Sequence, residues 1–408
     1  MAINPISIRK DFPILKRKIH NKQLVYLDSA ASSEKPLIVI KTIEEFYKQH
    51  YANVHRGLHT LSDEATTLYE DARKRIAMFI NADVKETIFV RNATEGINLV
   101  ARSFVASRVK KGDVILLTEM EHHANIVPWH MLSQAKGVKL QFIPVTKEGI
   151  LDLKKAETYL SKKPAFFSFT SISNVLGTIN PAKELIKLAH KYHVPVLVDA
   201  CQSVPHRTTD VKDLDCDFLV FSSHKMCGPS GIGILYGKKH HLESMTPFLG
   251  GGDMIKDVRY SGFTPNDLPW KFEAGTPNIE GAVGLGAAVD YLSKVGMNEI
   301  EEHIHTITSY ALTHLKKIKK LVIYGPSNSK LRGGLISFNL GDIHSHDLTT
   351  ILDEEGVAIR SGHHCAQPIV DKLNVPSVAR MSFYLYTTKQ DIDRAIKALH
   401  KAKRIFKL

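Results

Sequence analysis

Apolar positions alternate along the chain between helical spacing and short unbroken runs, from about residue 60 onward. The spacing of Ala72, Ile76 and Phe79 predicts a helix, and Ser62 is predicted to be its N-cap. The unbroken runs predict strands, which should be buried on both faces of a mostly parallel sheet because they lack polar alternation. These predicted strands lie at residues 87–91, 113–118, 138–145, 166–172, 194–199, 217–222 and 231–236. With a further helix at residues 181–193, the first two-thirds of the chain is predicted to be an α/β domain.

The last third of the chain has a different pattern, in which long helices come before and after a few strands. The predicted elements are a helix pair at 279–320, strands at 321–324, 334–340 and 378–386, a helix near 345–355 and a final helix from about Thr388. We therefore predict three parts: an N-terminal arm at residues 1–20, a large α/β domain at 21–289, and a smaller α+β domain at 290–408. The arm is expected to pack on the small domain.

Composition is that of an ordinary soluble protein, with 43% hydrophobic and 24% charged residues among 408. No run approaches the roughly 18 apolar residues of a membrane span, and residues 1–22 lack the apolar centre of a secretory signal. Four cysteines without a CxxC pair argue against a disulfide framework and against a structural zinc site. We therefore expect a cytoplasmic protein with no membrane partner and no metal.

The formal net charge of +12 leaves open a nucleic-acid partner, an anionic membrane or an acidic protein. Lysines are spread along the whole chain, and the densest clusters, at residues 316–320 and 401–407, fall on predicted helices. We interpret them as solvated helix faces and expect no nucleic-acid binding. A nucleic-acid-binding protein would bind DNA or RNA in a salt-sensitive way, and it would leave the residues at the strand ends unexplained.

Polar residues follow the predicted strands at five points, where a parallel sheet places its ligands. Asp199 ends one strand, and Lys225 follows the end of the next. The other three strand ends lead into residues 92–96, 121–125 and 174–178. Each signal is weak alone, because a polar residue after a strand is usually a solvated turn residue. Their occurrence together predicts a single site.

These residue types match what a pyridine aldehyde phosphate requires. Lys225 could condense with the aldehyde, and Asp199 could keep the ring nitrogen protonated so that the ring withdraws electrons. His122 is the candidate to stack on the ring. Asn174 and Gln202 could bond to its 3-oxygen.

The phosphate of such a cofactor needs hydroxyls and free N–H groups at a helix start. Thr94, Ser222 and His224 could provide them, and Glu95, in the same predicted helix start, is also predicted to bind the cofactor. Together with the ring-binding residues, they predict pyridoxal 5'-phosphate as the cofactor.

Several motifs resemble the group II cysteine desulfurases, the SufS type. They are EHHANIVPW at 121–129, SNVLG at 173–177, DACQ at 199–202, SSHK at 222–225, RSGHHCA at 360–366 and ARMS at 379–382. The resemblance extends from about Phe12 to the last helix. Group I enzymes carry a longer, different loop around the cysteine, so these motifs favour group II.

The resemblance implies the roles of the site residues. Lys225 would hold the cofactor, Asp199 its ring nitrogen and His122 its ring face. Cys365 would carry a persulfide, and Arg380 would grip the substrate carboxylate, with Asn174 also near the substrate. The small domain would carry the cysteine loop.

It also implies a fold-type I homodimer with active sites at the subunit interface. Arg56 would serve the substrate and Thr276 the phosphate of the neighbouring subunit's site. The expected partners are L-cysteine and a SufE- or SufU-like sulfur acceptor, and the expected role is sulfur supply for iron–sulfur cluster assembly. Ala93 stands where the family often has a first threonine, so one hydroxyl contact to the phosphate is expected to be missing.

Four cysteines compete for the nucleophile's role. Cys201, Cys216 and Cys227 are predicted to pack as small apolar residues. Cys365 follows two histidines, whose imidazoles could stabilise a thiolate. A metal site at residues 363–365 is the alternative, although adjacent residues rarely bind one metal together.

His123 is predicted to be structural or to help in proton transfer. Two alternative activities remain open on the same scaffold. A selenocysteine lyase would use the same residues, whereas an aminotransferase of this fold would have no use for Cys365.

Overall fold

A computed structural model describes residues 3–408, so the first two residues of the predicted arm lie outside the described residues. Its strands are β1 Lys18–Ile19, β2 Lys22–Gln23, β3 Val25–Tyr26, β4 Thr87–Val90, β5 Val114–Thr118, β6 Lys139–Ile143, β7 Phe166–Thr170, β8 Val196–Asp199, β9 Phe218–Ser222, β10 Gly233–Gly237, β11 Ile255–Arg259, β12 Gly262–Pro265, β13 Leu321–Tyr324, β14 Leu335–Leu340, β15 Val357–Ala358, β16 Arg360–Gly362 and β17 Val378–Ser382.

One α-helix precedes the first strand, and the others lie between the strands or after the last of them. They are α1 Pro5–Ile8, α2 Leu37–Glu45, α3 Thr60–Phe79, α4 Ala93–Leu99, α5 Val127–Lys136, α6 Leu153–Leu160, α7 Ala182–Lys191, α8 Val211–Leu214, α9 Lys239–Ser244, α10 Ile279–Val295, α11 Met297–Leu315, α12 Ser345–Glu354, α13 Gln367–Lys372 and α14 Lys389–Ile405.

Seven strands form the large sheet, in the order β4-β10-β9-β8-β7-β5-β6. The pairs among β5 to β9 are parallel, whereas β10 runs antiparallel to both of its neighbours. Strand β7 shows why the apolar runs predicted this sheet. Phe166 faces one side of the sheet, Phe167 and Phe169 face the other, and all three are fully buried. The predicted α/β fold with a mostly parallel sheet is confirmed.

A smaller sheet, in the order β13-β14-β17-β16, is antiparallel throughout. Its buried face includes Ile336, Phe338 and Met381, which pack with apolar residues of α12 and α14. The N-terminal segment reaches this part of the chain, because Nη1 of Arg9 lies 2.8 Å from a carboxylate oxygen of Asp391 in α14. The predicted boundary at residue 290 falls inside α10, which packs against α2 and α3. The exact division into domains therefore stays a prediction.

Several predicted element ends differ from the structure by a few residues, and hydrogen bonding explains two of them. Helix α3 begins at Thr60, because the ring of His59 accepts the N–H of Ser62 and makes His59 the N-cap. Strand β17 ends at Ser382 and does not continue to residue 386, since the N–H of Phe383 turns to the carbonyl of Gly334. Within residues 3–408, no helix is long and apolar enough to cross a membrane.

Candidate active site

A cavity of about 210 Å³ opens at the carboxyl ends of β8 and β9. The predicted site residues that line it are Thr94, His122, Asn174, Asp199, Gln202, Ser222, His224, Lys225, Cys365 and Arg380. The structure thus brings together residues from several strand ends and from the small sheet.

Asp199 is the last residue of β8, and Lys225 ends the short turn that follows β9. Because β8 and β9 are neighbouring parallel strands, their carboxyl ends lie side by side. Oδ1 of Asp199 accepts the backbone N–H of Cys201 at 3.0 Å. The carbonyl of His224, next to Lys225, accepts the N–H of Ser33 at 3.0 Å, which holds the turn in place. A buried carboxylate and an amine therefore face the same space.

The imidazole of His122 is neutral and has a defined tautomer. Burial and the nearby charge of Lys225 lower its pKa to about 4, although the charge of Asp199 opposes the shift. Nδ1 accepts the backbone N–H of Ala124 at 3.0 Å, so the ring proton is on Nε2. A flat, uncharged ring therefore lines the cavity, as a stacking partner for a heteroaromatic ligand requires.

Hydroxyl and N–H donors lie at the side of the cavity where α4 begins. The Oγ of Ser222 accepts the N–H of Ala93 at 2.9 Å, which leaves its own proton free to donate. Thr94 lies in the first turn of α4. Burial and the charges of Lys225 and Lys35 lower the pKa of His224 to about 4, so its ring is a neutral donor. This set of donors suits an anionic group.

Glu95 does not face the cavity, although it lies in the same turn. Its carboxylate accepts the backbone N–H of Arg91 at 2.5 Å and the Nε of Arg91 at 3.0 Å. Its own backbone N–H donates to Oδ1 of Asn92 at 3.0 Å. A glutamate at this position therefore organises the helix start rather than reaching the ligand space.

The two predicted amide ligands each keep one N–H available. Nδ2 of Asn174 donates to the carbonyl of His364 at 2.7 Å, and Nε2 of Gln202 donates to the carbonyl of Ala30 at 2.8 Å. Since a primary amide has two N–H donors, the second of each can serve a ligand in the cavity.

Arg380 is a buried guanidinium, and two of its five N–H donors bond to other residues of the chain. Its Nη1 donates to the carbonyl of Asn174 at 3.0 Å, and its Nη2 lies 3.2 Å from Oδ1 of Asp28. Its buried Nε has no partner among residues 3–408. Burial lowers its pKa, and Asp28 opposes that shift. An unpaired buried donor on a cation that lines the cavity fits a carboxylate ligand.

Cys365 is exposed, whereas Cys201, Cys216 and Cys227 are buried. Both His364 and Cys365 have left-handed backbone, with φ of 52° and 56°. The expectation that His364 stabilises a thiolate was wrong. Burial lowers the pKa of His364 to about 3, and its Nε2 donates to the carbonyl of Val378 at 3.1 Å, so the ring is neutral and turned to the backbone. Within the described part of the chain, no cluster of three or more histidine, cysteine or acidic residues is placed to hold a metal ion.

Arg56 and Thr276 lie away from this cavity. Nε of Arg56 lies 3.2 Å from Oδ1 of Asp253, and Thr276 lines a separate cavity of about 460 Å³. Their service to a neighbouring subunit stays a prediction.

Sequence reasoning missed Asp28 and the lining role of Arg360, whose Nε lies 3.2 Å from Oδ2 of Asp28. A signal for Asp28 was present, because it follows the apolar run at residues 24–27 much as Asp199 follows its own strand.

Residues 25–395 match the family model described as aminotransferase class-V. The cysteine desulfurase of Pectobacterium carotovorum subsp. carotovorum is 48% identical over 400 residues, which cover 98% of each chain. The chain belongs to this family, among the cysteine desulfurases. A cysteine desulfurase of Thermococcus onnurineus NA1, solved in its apo form, superposes with a TM-score of 0.94 at 38% identity over 99% of this chain and 100% of that one. The cysteine desulfurase CsdA of Escherichia coli gives 0.91 at 37% identity over the same shares.

Membership of this family confirms pyridoxal 5'-phosphate as the cofactor. The residues present fit it: this cysteine desulfurase has an amine, a buried carboxylate, a neutral flat ring, and hydroxyl donors at a helix start.

Proposed function

We propose that the chain converts L-cysteine to L-alanine and holds the released sulfur as a persulfide on Cys365. The observation that carries this proposal is the position of Cys365, the one exposed cysteine of the four, on the wall of the cavity that Lys225 and Arg380 also line. An aminotransferase would need the lysine and the arginine but not the thiol.

Pyridoxal phosphate, when bound, withdraws electrons from the α-carbon of an amino acid. Lys225 would hold it covalently, Asp199 would keep its ring nitrogen protonated, and His122 would cover its ring. Thr94, Ser222 and His224 would hold the phosphate, with Asn174 and Gln202 at the ring oxygen.

The other steps depend on this chain's own side chains. Arg380 would hold the substrate carboxylate through its guanidinium. Lys225, released from the cofactor by the substrate amine, would take the proton from the α-carbon. Sγ of Cys365 would then attack the substrate sulfur, so that a sulfur–sulfur bond forms as the carbon–sulfur bond breaks. The β-carbon of the substrate keeps the electron pair of the broken carbon–sulfur bond and is protonated, which gives alanine.

We further propose a homodimer in which Arg56 and Thr276 complete the neighbouring site. Large apolar side chains are exposed near them in this single chain: Leu58 is two residues from Arg56, and Leu249 lines the same cavity as Thr276. The hairpin β11–β12 also exposes Val258, Tyr260 and Phe263. Apolar surface of this kind is typical of a protein interface.

An exposed Cys365 supports transfer of the sulfur to an acceptor protein of the SufE or SufU type, for iron–sulfur cluster assembly. Four free cysteines support a cytoplasmic location.

The proposed activity is tested by the yields of alanine and sulfide from cysteine, for the wild type and for Cys365→Ala. The proposal is supported if the wild type gives equal yields of alanine and sulfide and if both yields fall together in Cys365→Ala. Pyruvate formed from alanine would favour an aminotransferase, and a parallel assay on selenocysteine tests the lyase alternative.

A further inference from the structure

His123 joins the loop of Cys365 to the segment that carries His122. Its backbone N–H donates to the carbonyl of Cys365 at 2.6 Å. Its ring Nε2 accepts the backbone N–H of Gln367 at 2.9 Å. One residue thus bonds to both sides of the loop's tip, and it directly follows the ring that lines the cavity.

The loop needs such support from outside. Two successive non-glycine residues, His364 and Cys365, have left-handed backbone, which costs free energy unless neighbouring contacts impose it. Helix α13 starts directly after the loop with Ala366 at its N-cap position, and no side chain of the helix start caps it. The first N–H of the helix, that of Gln367, would lack a protein acceptor without His123.

We infer that His123 is a positioning residue, which sets the location of the Cys365 thiol relative to the cavity by capping α13 through its ring Nε2. The inference rests on the proposed function, because the position of the thiol matters only if Cys365 accepts sulfur from a substrate in the cavity. Asn174, which donates to the carbonyl of His364 at 2.7 Å, supports the same loop. Because Nε2 accepts, the ring is neutral with its proton on Nδ1.

Two variants of His123 separate the effect of the hydrogen-bond acceptor Nε2 from the effect of side-chain size. In His123→Leu the acceptor is lost while an apolar side chain remains, and in His123→Gln a side-chain oxygen can take the place of Nε2. The backbone bond to Cys365 is available in both. His130→Leu is the matched control, because His130 is an exposed histidine seven residues farther along the chain.

The first readout is hydrogen exchange in the peptide of residues 362–372 of the cofactor-loaded protein. Exchange should be about fivefold faster in His123→Leu, the factor that one net hydrogen bond provides, and should stay at the wild-type rate in His123→Gln and His130→Leu. The second readout is the single-turnover rate of persulfide formation on Cys365, followed by mass. It should fall about 10- to 100-fold in His123→Leu and recover to within about threefold in His123→Gln, while KM for cysteine stays within about twofold.

Wild-type exchange in His123→Leu would overturn the capping role. Faster exchange with an unchanged persulfide rate would overturn the positioning role, and so would a His123→Gln variant that is as slow as His123→Leu. If the wild type formed no persulfide at all, the proposed function would fail, while the exchange rates would still decide the capping role.

Discussion

The carboxylate of Asp28 lies 3.2 Å from Nη2 of Arg380, while Nε of the same guanidinium has no partner in the described range. Asp28 also lies 3.2 Å from Arg360, so one carboxylate orients two arginines at the wall of the cavity. The guanidinium is therefore held in place before a ligand arrives.

Replacing Arg380 with lysine should raise KM for cysteine about 10- to 100-fold, because a charged hydrogen bond of roughly 1.5–3 kcal/mol is lost. Steady-state kinetics on the cofactor-loaded protein measures this. Lys397→Arg is the control, because it exchanges lysine and arginine at a position on the last helix that does not line the cavity. It should leave KM unchanged. An unchanged KM in Arg380→Lys would remove Arg380 from substrate binding.

Cys365→Ala should keep its cofactor and still bind cysteine, yet release almost no sulfur. Cofactor binding uses Lys225 and Asp199, which this change leaves intact, whereas accepting sulfur requires the thiol. After brief exposure of the wild type to cysteine, mass spectrometry should show a gain of one sulfur on the Cys365 peptide. The peptides of the three buried cysteines are internal controls, and a gain on any of them instead would identify a different nucleophile.

Asp199→Ala should lower kcat at least about 100-fold, a typical loss when a preorganised charge is removed. Cofactor retention after gel filtration should fall much less, since the phosphate donors Ser222 and Thr94 are unchanged. Borohydride should still link the cofactor to Lys225. An Asp199→Ala protein that loses its cofactor and its activity in parallel would show that Asp199 serves binding alone.

Two inactive variants, Lys225→Ala and Arg56→Ala, should regain part of the activity when their subunits are mixed. In a mixed dimer, one of the two sites combines an intact Lys225 with an intact Arg56 from the other subunit. Subunit exchange is verified by native mass spectrometry before the assay. No recovery after verified exchange would mean that each site is built from one chain.

Asp217→Asn should lower the free energy of unfolding by about 3 kcal/mol at pH 6. The Asp217 carboxylate is buried and lies 2.9 Å from Nε2 of both His190 and His241. Burial alone would raise its pKa, but these hydrogen bonds hold the pKa well below its usual range. The bond to Asp217 in turn raises the pKa of His190.

The sign of the pH dependence follows from these two shifts. The contribution of Asp217 is present above its unfolded pKa of about 4 and is lost as the pH falls through the lower folded value. That of His190 is present below about 6.5 and is lost as the pH rises through its raised folded value. Urea unfolding should therefore show a gap between wild type and variant that narrows from pH 6 to pH 3. Asp215→Asn, at an exposed carboxylate, should change stability by only about 0.5 kcal/mol, and a gap that does not change with pH would contradict the assignment.

Much of the fold could be predicted because buried parallel strands leave apolar runs. The element ends were less predictable. The capping of α3 by His59 and the hydrogen bond from Phe383 to Gly334 are single polar contacts, and the spacing of apolar residues does not record such contacts. Glu95 was predicted to belong to the site because it follows Thr94 at the start of α4, but an ion pair with Arg91 turns its side chain away from the cavity.

The sequence by itself determined which polar residues follow the strands, and the parallel sheet then brings Asp199, Ser222 and Lys225 to one edge. Only the tertiary structure decided how Cys365 and Arg380, from the part of the chain that forms the small sheet, come to line the same cavity. The bond between Gln367 and His123 spans 244 positions, and that between Arg380 and the carbonyl of Asn174 spans 206. Contacts between such distant residues depend on how two separately patterned sheets pack together. Hydrophobic periodicity records which face of each element is buried, but it does not record which polar groups meet across the boundary between the two sheets.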